Sequence, residues 1–282
     1  LKPKMNKFAL FTLLPFFLLI AMFLVVPVVT MISASLSGEN GSGWTLGNYI
    51  EIFINPFYYQ SFKNSAIISF TSSLIGVIIA TFVAYSFTKF HSAFQEKLLL
   101  FVNMTSNFAG VPLAFAFIIL LGNSGVFTLL FQQFGIDLFQ HFDLYSWAGL
   151  TMIYVYFQLP LAVLLLFPIY KGIDEKWKEA SFLLGASTFT FWRKIGFPYI
   201  LPAITGTLSI LFANAMGAYG TAYALVGSKI NLLPIRIGAL VSGDIYARPE
   251  LGSALAVTLA LLMMTAMLVN EWLLRKVRRD MK

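Results

Sequence analysis

Apolar residues run through this chain in long blocks free of charge. No Asp, Glu, Lys or Arg falls within 8–38, 64–88, 98–136, 144–170, 195–228 or 251–270. A helix needs about 20 mostly apolar residues to cross a bilayer, so every block is long enough to do so. None of them sustains the period-two alternation of a transmembrane strand. The pattern predicts an all-α, polytopic membrane protein with six transmembrane helices, near 9–35, 63–88, 98–121, 145–170, 197–225 and 251–273. The 98–136 block exceeds one crossing. Asn123-Ser124-Gly125 divides it, and the remainder is read as an external loop or re-entrant turn. The first block is longer than the roughly 7–15 apolar residues of a signal peptide, and is expected to remain as a membrane helix.

The charges between the blocks set a direction. With the N-terminus inside, inner segments carry 15 Lys and Arg, among them Lys2, Lys4, Lys7, Lys171, Lys176, Lys178, Arg193, Lys194 and Lys282. Outer segments carry only Lys63, Lys229, Arg236 and Arg248. Positive charge is retained on the cytoplasmic side, so both termini and the 171–196 segment are expected there. Composition agrees: 59% of the 282 residues are hydrophobic and 11% charged, where soluble domains carry about 25% charged residues. The net charge of +7 sits between apolar blocks and forms no basic stripe, so nucleic acid is not an expected partner. Membrane lipid is.

Candidate chemistry is sparse. There is no cysteine, which excludes disulfides and thiolate metal sites. His91 and His141 fall in loops on opposite sides of the membrane and cannot share a metal. No Walker sequence and no Ser/His/Asp set is present, so no catalytic residue is assigned, no cofactor is expected in this chain, and it is not read as an enzyme. No ionisable residue sits at the centre of a span, and no inverted repeat relates 1–140 to 141–282. Ion-coupled carriers use such residues and such repeats. A carrier is therefore the weaker reading, and an energy source outside the chain the stronger.

The polar stretch 174–202 stands out between the fourth and fifth spans. Asp174 can cap a helix beginning at Glu175. Trp177, Ala180, Ser181 and Leu184 then share one face, and Glu175, Lys178, Glu179 and Phe182 the other. Gly185 follows where a helix end favours φ > 0. A second helical piece starts near Thr188 and carries Phe189, Phe191, Trp192 and Ile195, with Pro198 and Pro202 at the membrane entry. Periodicity alone allows either a loop packed under the bundle or a docking element for a soluble partner.

Glu179-Ala180-Ser181, three residues, Gly185, nine residues, Ile195, two residues and Pro198 resemble the EAA loop of permease subunits of type I binding-protein-dependent ABC importers. That family's pattern is E-A-A-x3-G-x9-I-x-L-P. Ser181 replaces a small residue and Phe197 the Leu. The resemblance extends to Gly172-Ile173-Asp174 and to Leu251-Gly252-Ser253-Ala254. It implies a coupling helix around Glu175–Leu184 that docks on a separate ATPase subunit. Glu179 would make a charged contact, Ala180 and Ser181 a close approach, and Gly185 the turn; Trp177, Ile195 and Pro198 complete the ATPase-coupling set. Residues 63–282 would form the five-helix permease core with its EAA loop at 174–202, and 1–62 an added N-terminal span and external loop. The implied partners are a second permease subunit, a different chain, with two cytoplasmic ATPase subunits that bind ATP and Mg and an external substrate-binding protein. The implied location is a bacterial or archaeal cell membrane.

The fifth span is rich in small residues around Asn214, Met216, Tyr219 and Tyr223. Small residues allow close helix packing; the same four residues are candidates to line a translocation pathway. The broken 226–250 stretch is expected outside, as the scoop that meets a binding protein or as a capping loop. Within the family, Asn231-Leu232-Leu233-Pro234 and the chain length resemble permeases of the spermidine/putrescine group. Related groups take ferric iron, organophosphonates, thiamine or oxyanions.

Overall fold

Helices make up nearly all of the computed structural model of the chain, which describes residues 7–38, 43–135, 142–243 and 247–280. Lys2, Lys4, His141 and Lys282 lie outside the described residues. In chain order the helices are α1 (Lys7–Ile20), α2 (Val26–Ser35), α3 (Gly47–Ile54), α4 (Pro56–Phe87), α5 (Ser92–Ser106), α6 (Val111–Leu121) and α7 (Val126–Gln133). They continue with α8 (Trp147–Lys171), α9 (Glu175–Leu183), α10 (Thr188–Phe191), α11 (Phe197–Met216), α12 (Tyr219–Val226), α13 (Leu233–Ser242) and α14 (Pro249–Asp280). Among the described residues, six stretches are long and apolar enough to cross a membrane: Leu13–Ser35, Pro56–Phe87, Val111–Gln133, Trp147–Lys171, Thr188–Met216 and Pro249–Trp272.

Two of these stretches pass through a π turn, and each turn is followed two residues on by a proline. Ala21–Val25 links α1 to α2, and Trp192–Gly196 links α10 to α11. Val26 N–H reaches back to Ala21 O, and Phe197 N–H to Trp192 O. The next residues are Pro27 and Pro198. A proline has no N–H and its ring crowds the carbonyl four residues back. One extra residue in the turn removes that conflict and lets the helix continue.

Three expectations are corrected. The third crossing is not 98–121. Gly110 has φ +75 and Pro112 opens α6, so the block is cut at 107–110 as well as at 122–125, and α5 is a separate helix. The fifth span does not run to 225; α11 ends at Met216, where Gly217 and Ala218 leave the helix and Tyr219 N–H bonds Gly217 O at 2.8 Å. The 226–250 stretch is not all loop, for it contains α13. Leu233 N–H donates to Ser65 Oγ (2.8 Å) and Asn64 Nδ2 donates to Asn231 O (2.9 Å), seating the start of α13 on α4.

The chain divides into two units, Leu1–Tyr59 with Arg236–Leu261 and Gln60–Ile235 with Leu262–Lys282. In the first, α3 is tied to the end of α2, and Arg248 forms a bidentate pair with Glu51 (2.7 and 2.8 Å). The second holds two apolar clusters. One joins Ile68 of α4 to Leu113, Ile153, Ala222 and Leu225; the other joins Val77 and Ala84 to Ala162, Leu166, Ile200 and Leu211. Gln158 of α8 is fully buried. Its Nε2 donates to Ser72 Oγ (3.1 Å) and to Tyr154 O (2.9 Å), and its Oε1 accepts from Ser73 Oγ (2.8 Å). Both amide atoms of Gln158 are thus paired, which an apolar interior requires.

Candidate functional site

The 174–202 stretch folds as the residue pattern predicts. Asp174 caps α9, its Oδ1 accepting from Lys176 N–H at 3.0 Å. Ser187 caps α10 by accepting from Thr190 N–H at 3.2 Å. Each cap contributes about 1 kcal/mol to a short helix. Between them Gly185 sits at φ +82. Gly185 N–H donates to Phe182 O and Ala186 N–H to Ser181 O, which closes the end of α9 and turns the chain back. A side chain with a Cβ disfavours that conformation.

The coupling residues named from the sequence divide between faces. Trp177, Ala180, Ser181, Gly185 and Ile195 line one concavity of about 770 Å³. Trp177, Ile195 and Pro198 line an adjoining one of about 700 Å³. Ser181 is buried, its hydroxyl donating to Lys178 O at 2.7 Å. Glu179 is exposed. Glu175 is placed elsewhere, in a cavity of about 250 Å³ with Asp174, Lys178, Tyr85, Tyr170 and Trp192.

Aromatic rings bind this hairpin to the ends of the long helices. Trp177 of α9 meets Tyr199 of α11 edge-on, centroids 5.3 Å apart. Trp192 meets Tyr85 of α4 at 5.2 Å and Tyr170 of α8 at 6.5 Å. The hairpin therefore cannot shift without moving three helix ends or breaking these contacts.

The hairpin's turn carries residues absent from the expected set. Leu183 and Leu184 are both 89% exposed, and Phe189 is exposed beside them. The sequence signal is two adjacent leucines directly before the capping Gly185, at the end of a helix that carries Glu175, Lys176, Lys178 and Glu179.

The four pathway candidates do not share a surface. Asn214, Tyr219 and Tyr223 are exposed, while Met216 is fully buried. Tyr219 and Tyr223 stack, with ring centroids 5.3 Å apart and planes inclined by 19°. They follow the helix break at Gly217-Ala218, where Tyr154 hydroxyl donates to Ala218 O at 3.0 Å. Thr221 Oγ1 donates to Gly110 O at 3.2 Å, so this break abuts the one between α5 and α6. Among the described residues no group of His, Cys, Asp or Glu could hold a metal ion.

Six apolar stretches able to cross a membrane, with a capped polar hairpin between two of them, are the architecture of a multi-pass membrane protein. Residues 72–279 match the family described as binding-protein-dependent transport system inner membrane component, and the chain belongs to that family. It is an inner-membrane permease component, and the ATPase activity of such transporters resides in a separate subunit. The chain is 26% identical over 282 residues to the spermidine/putrescine transport system permease protein PotB of Haemophilus influenzae, covering 98% of each. It is 25% identical over 261 residues to the spermidine/putrescine transport system permease protein PotC of Escherichia coli, covering 90% of each. Its fold is similar to a chain in the crystal structure of a bacterial alginate ABC transporter in complex with alginate pentasaccharide-bound periplasmic protein. That match has a TM-score of 0.78 at 17% identity, over 97% of this chain and 96% of that one. A chain of the MetNI methionine ABC transporter matches at TM-score 0.56 and 17% identity, over 79% of this chain and 98% of that one.

Proposed function

We propose that this chain forms half of the translocation pathway of an ATP-driven importer and couples to its ATPase through the α9–α10 hairpin. The observation that carries the reading is the apolar tip of that hairpin. Leu183, Leu184 and Phe189 stand exposed on a polar segment, and rings fasten the same segment to α4, α8 and α11. Such a tip is costly in water and suits a groove on a soluble partner. The bias of Lys and Arg supports a cytoplasmic hairpin and cytoplasmic termini. Glu179, exposed on α9, supplies a charged contact at the rim.

In this account a second permease chain completes the pathway. Two ATPase subunits bind ATP and Mg and grip one hairpin each. Their closure draws the hairpins together and opens the bundle outward, a rigid-body switch between two packings. An external binding protein delivers the solute. Asn214, Tyr219 and Tyr223 face the pathway, and buried Met216 packs behind them. Residues 63–282 serve as the permease core, and 1–62 as an added span with its external loop.

The solute is a small polar or charged one, and polyamines are the favoured class. The PotB and PotC proteins carry spermidine/putrescine in their names, and the stacked Tyr219–Tyr223 pair offers π faces that attract organic ammonium groups. The test is to tag the C-terminus, solubilise the complex gently from its host and identify what co-purifies. An ATPase with a second permease or a binding protein supports the proposal. A stable chain that captures no ATPase under crosslinking contradicts it. Ligand screening of the recovered binding protein then decides the solute.

A further inference from the structure

The helix α3 has its polarity reversed for a helix beside water. Its inward side carries Asn48, Glu51 and Ile52; its outward side carries Leu46, Ile50, Phe53 and Ile54, with Phe53 70% and Ile54 73% exposed. Phe57 continues the outward row at the start of α4, and Trp44 stands exposed just ahead of α3. A helix on an aqueous surface turns its apolar stripe inward and its polar residues out. Here every outward side chain of that row is apolar.

The inward polar groups are engaged. Asn48 Nδ2 donates to Ser35 O (3.1 Å) and Ser37 O (2.8 Å). Tyr49 hydroxyl and Ser35 Oγ lie 2.8 Å apart in a hydrogen bond. The Glu51 carboxylate takes both Arg248 Nη groups. Two consequences follow. The single acid of α3, 32% exposed, has a bidentate partner, which offsets part of the cost of moving its charge away from water. And α3 is bonded to Ser35, the residue at which the first span ends. Its depth is therefore that of the membrane boundary on that side.

We propose that α3 lies in the headgroup region, with Leu46, Ile50, Phe53 and Ile54 inserted among the lipid acyl chains and Trp44 as an interfacial anchor. The first span precedes α3 in the chain, and its side chains from Leu13 to Thr30 are exposed throughout. Helices with one apolar face settle about 5–10 Å into this boundary, and Trp is enriched there. The bilayer thus holds α3 from outside while Asn48 and Glu51 hold it from inside, which fixes the angle at which the first span meets the outer part of its unit.

The chain contains no cysteine, so single probes can be placed cleanly. Ile50→Cys, Phe53→Cys and Ile54→Cys are each nitroxide-labelled in the intact complex with cysteine-free partner chains. The complex is set in nanodiscs of phosphatidylethanolamine and phosphatidylglycerol, with Phe23→Cys as a mid-span reference. The expected result is greater collision with oxygen than with a water-soluble nickel chelate at all three positions, at a depth shallower than Phe23. Greater collision with nickel would show water there and overturn the proposal. Poor access to both reagents would show a protein covering α3, a partner permease or a binding protein, and would overturn it equally. Bromine-labelled acyl chains give a second reading that needs no label on the protein. Quenchable tryptophan fluorescence is expected to fall in Trp44→Phe, and an unchanged quench would count against the anchor.

Discussion

Trp192 stands edge-on to Tyr85, with ring centroids 5.2 Å apart and planes at 88°. The contact joins the π turn beneath the hairpin to the end of α4, and Tyr170 closes the group 5.9 Å from Tyr85. Edge-on aromatic pairs contribute about 0.5–1.5 kcal/mol beyond the area they bury. A displacement of the hairpin reaches the ends of α4 and α8 through these rings. Trp192→Leu is expected to leave ATP hydrolysis largely intact and to cut uptake about tenfold, equivalent to ~1.4 kcal/mol of coupling. Trp192→Phe should keep most uptake. Hydrolysis and uptake measured on the same proteoliposomes check this; equal loss of both would count against a coupling role.

Gly185→Asp places a side chain at φ +82. The left-handed conformation disfavours a residue with a Cβ, Asp less than most, and the new carboxylate stands next to the exposed apolar pair Leu183 and Leu184. Glu179→Lys reverses a charge on the same helix. Both variants should reach the membrane in normal amounts and fail to transport. Immunoblots of membranes beside uptake assays decide it, and normal uptake by both would sink the assigned roles.

Leu183→Ser with Leu184→Ser separates docking from folding. Because both side chains are exposed, stability should change by no more than about 0.5 kcal/mol. Burial of each leucine in a partner contributes ~2 kcal/mol. ATPase retention on the tagged permease should fall by at least about tenfold, while the thermal midpoint of the permease holds.

Gln158→Leu removes the amide that joins α8 to Ser72 and Ser73. Interhelical bonds in membranes average ~0.6 kcal/mol each, with a maximum near ~1.7. A loss of about 1–2 kcal/mol is expected, read as a lower thermal midpoint in detergent. A raised midpoint would mean that packing outweighs the hydrogen bonds at this position.

Tyr219→Leu and Tyr223→Leu test the solute class. A cation over an aromatic face contributes about 0.5–2 kcal/mol. The KM for a polyamine cargo should rise severalfold in each variant and recover with Phe. An unchanged KM would move recognition to the binding protein or to the second permease.

The elements legible in the sequence are those whose cause is local. Asp174 and Gly185 announce the ends of α9, because a side-chain cap and a positive φ depend on the residue itself. The apolar blocks announce the spans for the same reason. Other features depend on neighbours far along the chain. Gln158 is one polar residue in an apolar run until Ser72 and Ser73 stand beside it. Met216 is fully buried beside Ser65, Ile68 and Tyr154, neighbours that its position in the sequence does not report. The break at 107–110 was available in Gly110 and Pro112; the uninterrupted hydropathy around them hid it. The reversed face of α3 follows from hydrogen bonds to Ser35 and Ser37, which no periodicity reports.

The most direct test of the account is uptake in proteoliposomes. The chain is reconstituted with its partner permease and ATPase, with the binding protein and labelled solute on one side and ATP and Mg on the other. Accumulation is expected to require ATP, the ATPase and the binding protein together, and to be abolished by Gly185→Asp. Accumulation by this chain alone, driven by an ion gradient and indifferent to ATP, would contradict it.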